Sequence, residues 1–87
     1  MINAARGEVS VRLAGAERTL CLTLGALAAI EAALGVEGVA ALGERLRRMS
    51  AGDLAAVLRA LAPEVDAAAV SPREAAEAVA AVFAASR

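Results

Sequence analysis

The sequence predicts an α+β fold that is mostly helical: an N-terminal β-hairpin over 6–22 and about four short helices over 23–87, in a single domain, 1–87. Three observations lead there. Apolar and polar residues alternate on either side of Gly15, the period of half-buried strands. Farther on, apolar residues recur every three or four positions, the period of amphipathic helices. The ends of those stretches carry caps, with Thr23 and Gly35 around the first, Ser50 and Asp53 opening the third, and Ser71, Pro72 and Glu74 opening the last.

In the hairpin, Val9, Val11 and Leu13 fall on one side and Ser10 and Arg12 on the other; in the second run Leu20 and Leu22 oppose Thr19 and Cys21. A one-residue slip would turn one apolar set to the wrong face. A four-residue loop, Ala14 to Glu17, is therefore expected, pairing Val11 with Leu20 and Val9 with Leu22. Cys21 then sits on the outer face beside Ser10 or Arg12 as a small strand residue, and the chain has no His to activate it.

The first helix, from Thr23 to Gly35, has almost no face suited to water. Leu24, Leu27, Ile30 and Leu34 form one arc, Gly25, Ala26, Ala28, Ala29, Ala32 and Ala33 cover the rest, and Glu31 carries the sole charge. A helix apolar all round is normally buried on several sides. Two arrangements satisfy that: the helix is the hub of a small core, or its Ala face is left open and covered by another subunit. Glu31 either reaches water or an Arg at the edge of the arc, or anchors a partner.

After a link through Val36 and Glu37, a second helix runs to about Met49 with Val39, Leu42, Leu46 and Met49 as its stripe; Glu44, Arg47 and Arg48 point outward and Arg45 lies at the margin. The third presents Leu54, Val57, Leu58 and Leu61 and stops before Pro63. Glu64 to Val70 reads as a loop or short turn. The last helix buries Ala75, Val79, Val82 and Phe83, the sole aromatic residue and an expected core anchor, and Arg87 complements its dipole. The core is expected to hold Leu27, Ile30, Leu34, Leu42, Leu46, Leu58, Val79 and Phe83.

Composition narrows the function. A domain of 87 residues buries only about 60% of the surface its unfolded chain exposes, and Ala adds helix propensity more than burial, so self-association through the hairpin edge or the Ala face is expected. A net charge of -1 gives no electrostatic footprint for nucleic acid. The outward face of the third helix, Ala55, Ala56, Ala60 and Arg59, does not suit base reading either. The longest uncharged run, Thr19 to Ile30, is too short to span a membrane, and a lone cysteine fits a reducing cytoplasm. No His is present, no carboxylates or thiols have metal-ligand spacing, and Gly35-Val36-Glu37-Gly38 lacks the Lys and Ser/Thr of a phosphate loop. No enzyme activity, cofactor or metal is expected.

One family shares the order of these features. Arg6-Gly7-Glu8-Val9 opening a hairpin, the run Leu22-Thr23-Leu24-Gly25-Ala26-Leu27-Ala28-Ala29-Ile30-Glu31-Ala32-Ala33-Leu34-Gly35, and Pro72-Arg73-Glu74-Ala75-Ala76-Glu77-Ala78-Val79 resemble the small gene transfer agent family of phages and prophages. That family is described as a tail assembly chaperone and also labelled tail tube protein; it often carries an aromatic residue where this chain has Leu24. The resemblance implies a non-enzymatic protein that keeps the tape measure protein soluble while tail tube subunits polymerise round it. Alternatives are a structural tube component and a small interaction or regulatory module unrelated to phage. The expected partner surface is the Ala face around Ala29 and Ala33 with Glu31, and the Arg45, Arg47, Arg48 cluster at its rim.

Overall fold

The computed structural model describes residues 7–85. Along the chain lie β1 (Val9–Leu13), β2 (Ala16–Leu20), α1 (Leu24–Leu34), α2 (Val39–Leu46), α3 (Ala51–Leu61), a 3-10 turn (Ala67–Ala69) and α4 (Pro72–Ala85). This is the hairpin followed by four helices that the sequence predicts. Arg6, at the head of the expected hairpin, and Arg87, expected to complement the α4 dipole, lie outside the described residues.

The hairpin turn is two residues long rather than the expected four. Val9 pairs with Leu20, Val11 with Arg18 and Leu13 with Ala16. Ala14 at φ 52 and Gly15 at φ 82 are both left-handed, as both central positions of a type I′ turn must be, and that turn matches the twist of the strands. A change of two residues in loop length leaves every side chain on its own face, so face parity does not separate the two loops and strand twist does. In this register Arg18 lies opposite Val11 on the core face and turns its Nε–H back to the Leu13 carbonyl at 3.2 Å. Cys21 and Leu22 follow the strand rather than extending it, and both are half-buried.

Helix ends follow the caps. Thr23 Oγ1 accepts from the Ala26 N–H at 3.1 Å and Gly35 closes α1 at φ 69. Ser50 and Asp53 form a reciprocal capping box on α3. Ser71 Oγ accepts from the Glu74 N–H at 3.1 Å, while the Glu74 carboxylate crosses to the hairpin and accepts from the Ala14 N–H at 2.9 Å. α2 stops at Leu46, short of the expected Met49.

α3 is the hub. α1, α4 and the 3-10 turn pack on it, and α4 also packs on β1. Val57 and Leu58 of α3 are buried with Ile30 and Leu34 of α1, Leu42, Leu13 of β1, and Ala75, Ala78, Val79 and Val82 of α4. Val65, just past Pro63 in the stretch expected to be a loop, is buried too. α1 is therefore not the central helix that one reading of its sequence supposed: it buries only Ile30 and Leu34. The physical reason is size, because α3 offers a stripe of large side chains and Ala on α1 contributes little burial.

Leu27, Leu46 and Phe83, expected in the core, are half-buried at its margin. Ala75, Ala78, Val79 and Val82 define the inward stripe of α4, and at 100° per residue Phe83 falls to one side of it. A ring that keeps one side in water stabilises less than an enclosed one. Phe83→Ala is expected to cost about 1 to 2 kcal/mol, against about 3 to 5 for full burial; chemical denaturation would measure it, and a cost in the upper range would place Phe83 inside the core.

Candidate partner-binding surface

The N-cap at Thr23 and the left-handed Gly35 fix α1 as an eleven-residue rod, and docking Ile30 and Leu34 on α3 turns its opposite side outward. Ala28, Ala29, Ala32 and Ala33 are exposed along it. At its start Leu24 projects with 82% of its surface open, the most exposed large apolar side chain among the described residues. Beyond Leu24 these exposed positions carry no long side chain, so another helix backbone can approach them closely; on one flank Ala28 and Ala32 border an open cavity that Glu31 and Glu37 also line. Of the residues expected on a partner surface, Ala29 and Ala33 are placed together here. Leu24 belongs with them, although the sequence grouped it with the buried arc.

Glu31 is positioned for a different task. Its Oε2 accepts from the Gly38 N–H at 2.9 Å. Gly38, at φ 87, is the N-cap of α2 and has no side chain to offer its own helix, so Glu31 ties the end of α1 to the start of α2.

The three arginines do not form one patch. Arg45 turns inward, donating from Nε to Asp53 Oδ2 at 2.8 Å, from Nη2 to Asp53 Oδ1 at 2.9 Å and from Nη1 to the Leu34 carbonyl at 2.9 Å. One guanidinium thereby joins the C-terminal end of α1, α2 and the N-terminus of α3, in the bidentate geometry that suits Arg and not Lys. Asp53 also accepts from the Ser50 N–H at 3.4 Å. Arg47 and Arg48 are exposed, and Arg47 makes a surface pair with Glu44 at 3.2 Å.

Hydrogen bonding from Arg45 holds the Asp53 carboxyl below its ordinary 3.8, with Ser50 assisting and burial opposing. A carboxyl whose folded pKa is depressed stabilises the fold in full above its unfolded value, and that contribution is lost as pH falls through the lower folded value. Thermal unfolding of the wild type should therefore show an acid-dependent loss below about pH 4 that Asp53→Asn lacks. Parallel pH curves for the two proteins would show that the pair is not formed.

A second apolar surface lies between the end of α2, the start of α3 and α4. Leu46, Met49, Leu54, Val79 and Phe83 line a cavity of about 320 Å³ with Arg47 at its mouth. This groove is not legible in the sequence, because its walls come from α2, α3, α4 and the link at Met49, and no single periodic stripe contains them.

Among the described residues no group of His, Cys, Asp and Glu is placed to hold a metal ion, and no helix is long and apolar enough to cross a membrane. The arrangement offers contact surfaces. Compared with known proteins, residues 6–86 match a family model described as phage tail tube protein, GTA-gp10. No curated protein and no solved structure matches.

Proposed function

The chain belongs to the phage tail tube protein, GTA-gp10 family, a family of phage and gene transfer agent tail assembly proteins, and from that premise we propose that it is a non-enzymatic tail assembly chaperone acting in the bacterial cytoplasm. Its partners are the tape measure and tail tube proteins. The observation that carries this reading is the open outer side of α1, where Leu24, Ala28, Ala29, Ala32 and Ala33 lie exposed together. Small residues let an amphipathic helix lay its larger apolar side chains close to the α1 backbone, the helix-in-groove mode of recognition. Arg47 and Arg48 act from outside that face on long-range attraction, while Glu31 and Arg45 hold the α1–α2–α3 junction that presents it.

Co-expression with the tape measure protein of the same gene cluster, followed by affinity capture, tests the reading. Enrichment of the long partner, and its loss from the soluble fraction when this chain is omitted, is the expected result. No enrichment when both proteins are soluble removes the chaperone reading. The second reading, a structural tube component, is favoured by the open strand edges of the hairpin. Mass spectrometry of finished particles separates the two, since a chaperone is absent from them and a tube component is present in many copies.

A further inference from the structure

The groove between the end of α2, the start of α3 and α4 shares no residue with the outer face of α1. Its α4 wall is a second stripe of that helix: Ala76, Ala80 and Phe83 lie on one face beside the buried stripe, and all three keep surface in water. Opposite them Leu46, Met49 and Leu54 are half-buried. Apolar surface gathered in one concavity with a polar rim marks an interaction site, and an aromatic ring beside a Met and an Arg is the composition that interfaces favour. Among the described residues Arg47 is the one charged side chain lining the groove. Its pair with Glu44 is exposed on both sides, and such pairs are weak, so the guanidinium is free to turn to an incoming carboxylate. Arg48, between Arg47 and Met49 in the chain, is exposed and makes no ion pair among the described residues.

We propose that this groove is a second docking site, which takes a short amphipathic helix of another protein carrying two large apolar side chains one turn apart with Asp or Glu beside them. Length sets the number of anchors. From Ala76 to Phe83 α4 advances about 10 Å, and side chains at i and i+4 of an incoming helix stand about 6 Å apart along its axis, so two of them fill the groove. The walls decide in favour of a helix over an extended segment. No strand borders the groove, so an extended chain laid in it would leave its N–H and C=O groups without partners, whereas a helix satisfies its own. Charge decides the rim, because Arg47 at the mouth with Arg48 next to it favours a carboxylate and opposes Lys or Arg. One copy of the chain can then hold one helix on α1 and another in the groove at the same time.

The test is fluorescence anisotropy with a labelled Ala-based helical peptide about 15 residues long, carrying two Leu four positions apart flanked by Glu, titrated with the purified protein up to about 1 mM. Saturable binding is expected. It should be about fivefold weaker when Lys replaces Glu in the peptide and lost when Ser replaces both Leu. Ala80→Glu stands at an exposed helix position, so it should keep the wild-type unfolding midpoint and weaken binding of the acidic peptide about tenfold or more. Arg47→Glu should reverse the preference between the two peptides. Ala29→Glu should bind the acidic peptide as the wild type does, so the groove and the α1 face stand or fall separately. No saturable binding to the wild type overturns the proposal, as do equal binding of the Glu and Lys peptides, wild-type binding by Ala80→Glu, or loss of binding in Ala29→Glu. Sedimentation of the wild type alone as a dimer that Ala80→Glu dissociates would assign the groove to a second copy of the chain and overturn it too.

Discussion

Ala29→Glu is expected to abolish capture of the tape measure protein while leaving the stability of the chain within about 0.5 kcal/mol of the wild type. Ala29 is exposed in the middle of α1, so a longer side chain meets no neighbour in the free protein, and Glu is itself a good helix former. In the complex the same carboxylate would lie in a close-packed apolar contact without a partner. An uncompensated buried charge costs on the order of 3 kcal/mol, and at about 1.4 kcal/mol per decade that is more than a hundredfold in affinity. Arg47→Ala is the matched control at the rim, where charge tunes association rate and its salt dependence; its capture should fall modestly and most at low salt. Equal capture by Ala29→Glu would move the site away from α1 without touching the chaperone reading.

Leu58→Ala should have the largest effect on the fold, a loss of about 3 to 5 kcal/mol. Leu58 is 2% exposed and sits on the helix against which α1, α4 and the 3-10 turn all pack, so the hole it leaves has walls on several sides and cannot collapse onto one. A chain of 87 residues has about 4 to 13 kcal/mol of stability in all, so this single change removes a large part of it. Leu24→Ala, at the opposite extreme of exposure, should stay within about 0.5 kcal/mol. Urea denaturation of both compares them directly. Equal costs would mean that α3 is not the hub.

Local physics made much of this fold legible in the sequence. Thr23, Gly35, Ser50 with Asp53, and Ser71 with Pro72 mark helix ends because a cap acts within three or four residues of chain, and all of them act as caps in the structure. What depended on the whole molecule was less legible. Face parity could not choose between loops of two and four residues, since both keep Val11 and Leu20 facing inward. An Ala-rich helix can be a hub or a surface, and only the company of α3 decides which.

The expected partner surface shows the same division. Ala29 and Ala33 share a face because a helix places positions four apart side by side, and that much is readable from spacing. Arg45 looked like a neighbour of Arg47 and Arg48, but its partners, Asp53 and the Leu34 carbonyl, come from the two flanking helices. Exposure of Leu24 and the groove beside Phe83 likewise arise from how helices end against one another, for which one sequence holds no periodic signal.

The bond from the Ala14 N–H to Glu74 joins residues 60 positions apart, and together with the packing of α4 on β1 it governs when the chain can fold as it is made. A lone two-stranded hairpin is marginal in water, so β1 and β2 emerge from the ribosome first and gain their support last. At about 5 to 20 residues per second, the wait for α4 is roughly 3 to 12 s. Throughout that interval the apolar face of the hairpin, with Val11, Leu13 and Leu20, lacks the helix that covers it and is available to any neighbouring nascent chain. A product terminated before Ser71 never ends the wait: its hairpin lacks both the helix that backs it and the carboxylate that holds its turn.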